Sequence, residues 1–148
     1  MDGGEKFTLK VVDLASGEEV GEVVKNIDYC LAWAGDSETL FYCTRDSTER
    51  SDKVWRIRAG APAASASLVF HEPDDMFSTS VSGSNSGEVM WIDTGSSITS
   101  DVQFVAASDP EGEWKHVMPR QHVGTETLDP YLGRNGGIRH GRMRGMAE

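Results

Sequence analysis

Residues 33–42 read WAGDSETLFY, and a degraded copy of the same arrangement, VSGSNSGEVMW, occupies residues 81–91. In both stretches an apolar segment leads into a short polar run and then resumes, which is typical of a strand, a tight turn and a second strand. A third strand-like run follows each copy, KVWRI at residues 53–57 and DVQFV at residues 101–105. The chain is therefore predicted to contain a repeated unit of short β-strands.

The spacing of the two copies indicates the fold class. Trp33 and Val81 are 48 residues apart, and so are Val54 and Val102. A repeat of about 40–50 residues built from short strands is typical of a β-propeller blade. An open β-sandwich has a similar number of strands, but it does not explain the constant offset. Because a closed propeller needs about 4–8 blades, we predict an all-β partial propeller of two four-stranded blades plus one outer strand.

Alternation of apolar and polar residues predicts where the strands lie. Residues 7–12 are interpreted as the outer strand of a blade whose start is absent. The first full blade is predicted to begin near Asp28, and in its first strand Tyr29, Leu31 and Trp33 share one face while Cys30 and Ala32 share the other. The remaining strands are expected at residues 39–44, 54–58 and 67–70 in the first blade, and at residues 77–82, 88–94, 100–106 and 114–118 in the second. No segment shows helical periodicity.

The charge of the chain argues against several classes of partner. The net charge is −10, which disfavours nucleic acid and anionic membrane surfaces. No apolar run is long enough for a membrane span or a signal peptide. The polar N-terminus and the two cysteines, too few for a disulfide framework, favour a cytoplasmic protein.

The pattern ends near Pro119, where the composition changes. Residues 1–119 carry nine Lys and Arg against 21 Asp and Glu, whereas residues 120–148 carry five Arg against three acidic residues. The second segment is rich in Gly and Arg and has too few apolar residues to order itself. We therefore predict a propeller domain over residues 5–119 and a disordered tail over residues 120–148. An RNA-binding tail is disfavoured because aromatic residues are not interleaved with the arginines.

The two cysteines are predicted to face each other across a hairpin. Cys30 and Cys43 are equidistant from a turn centred on Asp36 and Ser37. We interpret them as two reduced, half-buried thiols of the core, since nothing in the sequence indicates an oxidising compartment.

The sequence offers no catalytic, cofactor-binding or metal-binding residues. The four histidines have no partner at metal-ligand spacing, and there is no Cys-x-x-Cys motif. Residues 83–87, GSNSG, superficially resemble a serine nucleophile motif, but they fall at the turn of the repeat and are interpreted as a hairpin loop. Asp74 and Asp75 are interpreted as a solvated acidic loop. The four tryptophans are expected on strands, in core or inter-blade packing: Trp33, Trp55, Trp91 and Trp114.

Several pieces of the chain, taken in order, resemble a known family. They are FTLKVVDLASGE at residues 7–18, WAGDSETLFY at 33–42, VWR at 54–56, LVFHE at 68–72 and TSDV at 99–102. Each piece is short, but their order and spacing together are similar to the N-terminal propeller of the prolyl oligopeptidase family, and most of all to its oligopeptidase B branch. The resemblance covers about residues 5–119.

The resemblance implies a two-domain serine peptidase. In this family a seven-bladed propeller covers an α/β-hydrolase domain with a Ser, Asp and His triad, and it admits short peptides but not folded proteins. The oligopeptidase B branch cleaves after Lys or Arg. A peptide substrate is thus expected only in the context of a full-length enzyme.

The chain departs from the family pattern in what it lacks. The hydrolase domain and the later blades are absent, so no catalytic residue can be assigned and the chain alone is not expected to be an enzyme. Unpaired blade edges predict self-association. One alternative is a non-catalytic propeller that serves as a protein-interaction module. An unrelated WD40 propeller is disfavoured because the Gly-His and Trp-Asp signature is missing.

Overall fold

The computed structural model describes residues 6–118, 131–132 and 138–139, and these residues form an all-β structure. Apart from one 3₁₀ turn at Ala63–Ser65, the described residues contain no helix. Most strands belong to two antiparallel sheets, which correspond to the two predicted blades. The partial propeller expected from the repeat is confirmed.

The first sheet has five strands in the order of the chain. Each strand is antiparallel to the one before it, so the sheet is a meander. Its strands are β1 (Phe7–Leu9), β2 (Val24–Trp33), β3 (Thr39–Arg45), β4 (Ser51–Arg58) and β5 (Ser67–His71).

The second sheet is a four-stranded antiparallel meander. Its strands are β6 (Ser78–Gly83), β7 (Val89–Gly95), β8 (Ser100–Ala106) and β9 (Lys115–Met118). Within the segment predicted as a tail, the structure describes two short strands that pair antiparallel, β10 (Tyr131–Leu132) and β11 (Ile138–Arg139). The rest of that segment lies outside the described residues.

The eight predicted blade strands are all present, with ends that differ by a few residues. One detail is wrong: Trp114 precedes β9 instead of lying within it. Its indole packs edge-on against the Phe41 ring of the first sheet, with 5.7 Å between ring centroids. The side chain therefore contributes to inter-blade packing, as predicted, from a position just outside the ladder.

The prediction for the first strand was also wrong. Residues 7–12 were expected in a separate blade, but β1 spans only Phe7–Leu9 and pairs with the beginning of β2, and Val12 forms an isolated bridge with Glu19. The reason is the length of β2, which begins at Val24 and so offers backbone partners upstream of the predicted start. Asn26, with φ of 60°, lies at the register shift that lets this extension pair with β1.

The sequence suggested a constant repeat offset, but in the structure the offset differs between the hairpins and the third strands. Ala34 N–H donates to the Thr39 carbonyl and Ser84 N–H donates to the Val89 carbonyl, both at 2.8 Å, so the two hairpins correspond at an offset of 50 residues. The third strands keep the offset of 48, because Cys43 pairs with Val54 and Asp93 pairs with Val102. The connection from second to third strand is thus two residues shorter in the second blade, and Trp33 corresponds to Gly83 instead of Val81.

The core lies between the two sheets. Side chains from one face of each sheet form a single apolar cluster, in which Phe41, Cys43 and Val54 are fully buried. The other face of the first sheet packs against the β1 hairpin and residues 61–66. The cluster between the blades consists of Cys30, Ala34, Phe41, Cys43, Val54, Val81, Met90, Ile92, Val105 and Ala107.

Candidate functional site

The strands β2 and β6, one from each blade, meet at a polar cleft that we call the seam cleft. It has a volume of about 390 Å³. Asp28, Tyr29 and Arg45 line it from the first blade, and residues 78–80 and Asp93 line it from the second. The cleft lies beside the connection from β3 to β4 and the beginning of β6.

An ion pair between the buried Asp28 and the partly exposed Arg45 forms one wall of the seam cleft. Arg45 Nη2 lies 2.6 Å from Asp28 Oδ1, and the Tyr29 backbone N–H donates to the same oxygen at 2.7 Å. Burial opposes ionisation of Asp28, but hydrogen bonds from Arg45, Ser51 and the Tyr29 N–H outweigh it and lower the pKa of Asp28. The carboxylate is therefore ionised at neutral pH although its side chain is almost inaccessible to solvent.

Arg50 fastens the first blade to the segment that leads into the second. Its Nε lies 2.9 Å from Asp46 Oδ2, and its guanidinium donates to the carbonyls of Phe77 at 2.7 Å and Glu72 at 3.3 Å, as well as to that of Asp74. We call this set of contacts the Arg50 clamp. Since the planar guanidinium presents several donors in fixed directions, the clamp holds the linker in one conformation.

The opposite end of the seam is closed by a glycine. Gly35, in the β2–β3 turn, donates its N–H to the Ala107 carbonyl of the second blade at 2.8 Å. A Cβ at this position would lie 3.1 Å from the Ala107 backbone. The close approach of the Gly35 and Ala107 segments therefore favours glycine in the turn.

An apolar strip on β2 is uncovered. Tyr29, Leu31 and Trp33 share one face, as predicted, and they are 73%, 43% and 48% exposed, whereas Cys30 on the other face is buried. We call Tyr29, Leu31 and Trp33 the inner strip. Leu31 pairs with Tyr42 and Trp33 pairs with Leu40, so the inner strip lies on the face of the sheet where Leu40 and Tyr42 are covered by the β1 hairpin. Three large side chains on one exposed face form a surface suited to protein contact.

We predict that the isolated chain self-associates through the inner strip, and that the combined variant Tyr29→Ser, Leu31→Ser and Trp33→Ser weakens this association. Since about 1.4 kcal/mol corresponds to a tenfold change in an equilibrium constant, loss of three partly exposed apolar groups should raise the dimer Kd by at least about tenfold. Sedimentation equilibrium over a range of concentrations measures this.

A matched control removes three exposed apolar side chains elsewhere. Leu14, Met76 and Ile98 are 98%, 68% and 60% exposed, more on average than the inner strip, and their triple serine variant should leave association unchanged. Equal weakening in both variants would show that the inner strip is not the contact surface.

The cysteines lie together at the seam, as predicted, and both thiols are free and buried. The Cys43 thiol donates a hydrogen bond to Cys30 and, with a further N–H from Val81 of the second blade, lowers the pKa of Cys30 to about 7 against the effect of burial. The pKa of Cys43 is raised by the same hydrogen bond and by burial.

The family of the chain follows from comparison with known proteins. The model of the prolyl oligopeptidase N-terminal β-propeller domain matches residues 1–129. The chain belongs to this family. The unrelated WD40 propeller considered above is thereby excluded.

Two curated relatives share much of this propeller sequence. Protease 2 of Moraxella lacunata is 31% identical over 111 residues, which is 74% of this chain and 16% of that protein. Dipeptidyl aminopeptidase BI of Pseudoxanthomonas mexicana is 30% identical over 121 residues, which is 81% of this chain and 17% of that protein. The chain thus spans about a sixth of the length of these relatives.

Solved structures of family members share the fold. Oligopeptidase B from Leishmania major aligns with a TM-score of 0.79 at 22% identity, over 88% of this chain and 18% of that one. Oligopeptidase B from Trypanosoma brucei aligns with a TM-score of 0.69 at 24% identity, over 82% and 19%. The likeness supports the propeller assignment of both sheets.

The structure shows where the residues singled out in this prolyl oligopeptidase propeller lie. Ser84 and Gly87 form the β6–β7 turn, so the hairpin interpretation of residues 83–87 is confirmed. Asp74 is exposed, and its carboxylate accepts the Met76 N–H at 3.0 Å. Among the described residues there is no cluster of three metal-ligating side chains.

The histidines and tryptophans take separate positions. His71 lies 3.4 Å from Asp52 and His116 lies 3.0 Å from Asp101, one pair on each blade. His122 and His140 fall outside the described residues. Trp55 Nε1 donates to Thr44 Oγ1 at 2.9 Å, and Trp91 is buried against Phe104. Trp33 is the exception to the packing prediction, because it lies on the uncovered inner strip.

The polar residues of the seam were missed in the sequence. Asp28 and Arg45 are equidistant from the same turn that relates the cysteines, but β2 shifts register between Ile27 and Leu31, so the turn alone does not predict the ion pair. Nor does any signal exist for Arg50, whose partners beyond Asp46 are backbone carbonyls.

Proposed function

We propose that this chain forms part of the substrate gate of a cytoplasmic serine oligopeptidase that cleaves short peptides after Lys or Arg. The observation that carries the proposal is the family match over residues 1–129. The two free cysteines support a reducing compartment. No described helix is long and apolar enough to cross a membrane.

The geometry suits a rigid gate wall. The two blades share one apolar cluster, and the Arg50 clamp fixes the linker between them. Rigid blades hold an opening at a constant width, which excludes folded proteins by size. The net charge of −10 would attract cationic peptides toward such an opening.

We further propose that the chain supplies no catalytic, cofactor or metal-binding residue, and that the propeller part ends near residue 119 with a Gly/Arg-rich segment after it. The composition change at that point supports the boundary. A polypeptide without a nucleophile, a base and oxyanion donors has no groups that can stabilise the transition state of peptide hydrolysis. The purified chain should therefore not hydrolyse an Arg-containing peptide amide above the buffer rate.

A chimera tests the gating role. Residues 6–118 replace the matching two blades of a full-length oligopeptidase B, and cleavage of a short Arg peptide is compared with cleavage of a folded protein. We expect the chimera to keep the ratio of the two rates within about tenfold of the parent enzyme. A folded chimera that cleaves the short peptide normally and also digests the folded protein would contradict the gating proposal.

The second candidate, a non-catalytic interaction module, is favoured by one observation, the exposed inner strip. In a larger propeller this face would contact another blade, whereas in the module it would bind a separate protein. The serine variant of the strip distinguishes them: in the chimera it should destabilise the propeller, and in a module it should abolish binding while the stability stays unchanged.

A further inference from the structure

The two thiols are placed so that they can be joined. The β2–β3 ladder pairs Leu31 with Tyr42 and Ile27 with Thr44, and it shifts register between Ile27 and Leu31, so Cys43 is the one β3 residue that faces the stretch from Asp28 to Cys30. Cys30 is the residue of that stretch next to the Leu31–Tyr42 pair, which places it beside Cys43. Both side chains point into the same inter-blade cluster.

The surroundings of Cys30 favour reaction at its sulfur. Hydrogen bonding from the Cys43 thiol and the Val81 N–H lowers the pKa of Cys30 to about 7, although burial and the nearby Asp28 carboxylate oppose its ionisation. Cys30 is 8% exposed and its neighbours Asp28 and Tyr29 line the seam cleft, so a small oxidant has a short path to it. Cys43 is fully buried and has no comparable access.

We propose that Cys30 and Cys43 form a reversible dithiol–disulfide pair within the propeller, with Cys30 as the thiol that reacts first with hydrogen peroxide. The Cys30 thiolate bonds to one peroxide oxygen, the O–O bond breaks, and hydroxide leaves and takes up a proton to become water. This gives a sulfenic acid on Cys30. The Cys43 sulfur then bonds to Cys30 Sγ, the S–O bond breaks, and the hydroxyl leaves as water with the Cys43 proton.

The overall step is balanced and reversible. Two thiols lose two electrons and two protons, and one hydroperoxide is reduced. A dithiol reductant restores both thiols by exchange through a mixed disulfide. Because the pair lies in the cluster between the blades, the oxidised form ties β2 to β3 at the point where the second blade contacts them.

The test uses the whole 148-residue chain, in which these are the only cysteines. The chain is treated with hydrogen peroxide, free thiols are alkylated in denaturant, and the peptides from trypsin are weighed. Both cysteines lie in one tryptic peptide, residues 26–45. The expected product is an unalkylated peptide lighter by two hydrogens, and dithiothreitol should return it to the doubly alkylated form.

Three results would overturn the proposal: full alkylation of both thiols after peroxide, oxygen addition without loss of two hydrogens, or a covalent dimer instead of the internal bond. Because this measurement uses the unchanged sequence, it does not depend on whether a variant folds.

Single variants assign the order of the steps. Cys43→Ser should accumulate sulfenic acid on Cys30, which dimedone traps, and Cys30→Ser should be trapped at least about tenfold less. Equal trapping in both variants, when their thermal melts match, would refute Cys30 as the first site of attack.

Discussion

Replacing Phe41 by alanine is expected to lower the free energy of unfolding by about 3–5 kcal/mol, the usual cost of removing a buried aromatic side chain. Phe41 is fully buried between the two sheets and packs edge-on against Trp114. Its loss removes apolar contacts from both blades at once and leaves a cavity where they meet. Urea denaturation followed by tryptophan fluorescence measures the change. If the alanine variant does not fold, Phe41→Leu serves in its place and should give a smaller loss of stability.

The control for Phe41 is Leu14→Ala. The Leu14 side chain is 98% exposed in the turn after β1, so its truncation should change stability by less than about 0.5 kcal/mol. A Phe41→Ala variant as stable as Leu14→Ala would mean that the cluster between the blades does not hold them together.

Asp28→Ala is expected to cost about 2–4 kcal/mol at neutral pH, because hydrogen bonds to buried charged groups are the costly ones to lose. The variant leaves the Arg45 guanidinium without its 2.6 Å partner and the Tyr29 N–H without an acceptor. The folded state lowers the pKa of Asp28 below its ordinary value of 3.8. The contribution of Asp28 is therefore complete above about pH 4 to 5 and disappears as the pH falls through the lowered pKa.

Urea titrations at several pH values check both parts of this expectation. The stability difference between the unchanged chain and Asp28→Ala should shrink on acidification below about pH 4. Glu38→Ala is the matched control, since Glu38 pairs with Arg58 at the exposed surface and should cost at most about 1 kcal/mol. A pH-independent deficit for Asp28→Ala would show that the carboxylate acts through its shape and not its charge.

The parts of the fold that depend on local pattern were predictable. Alternation identified the blade strands, and the position of one turn was enough to place Cys30 and Cys43 in the same cluster, although β2 shifts register at Cys30. A single offset could not show that the second blade has a shorter connection between its second and third strands. The early start of β2 was missed because Asn26, a polar residue with positive φ, interrupts the alternation that marks the strand.

The candidate site was less predictable, for a physical reason. Asp28 and Arg45 attract each other across neighbouring strands, but the register shift of β2 between Ile27 and Leu31 cannot be derived from the position of the turn. Arg50 bonds to carbonyls, which every residue carries, so no side chain at residues 72–77 marks its targets. Exposure of Trp33 was missed because periodicity assigns a residue to a face without showing what covers that face.

The Arg50 clamp bears on the symmetry of the ring to which such blades belong. Successive blades are related by a rotation about the central axis, and a ring closes only when whole blades complete one full turn. The guanidinium fixes the path of the chain from one blade to the next and therefore helps to set the angle between them. A lysine here would keep the charge but not the several donors in fixed directions, so it would hold the path between the two blades less firmly.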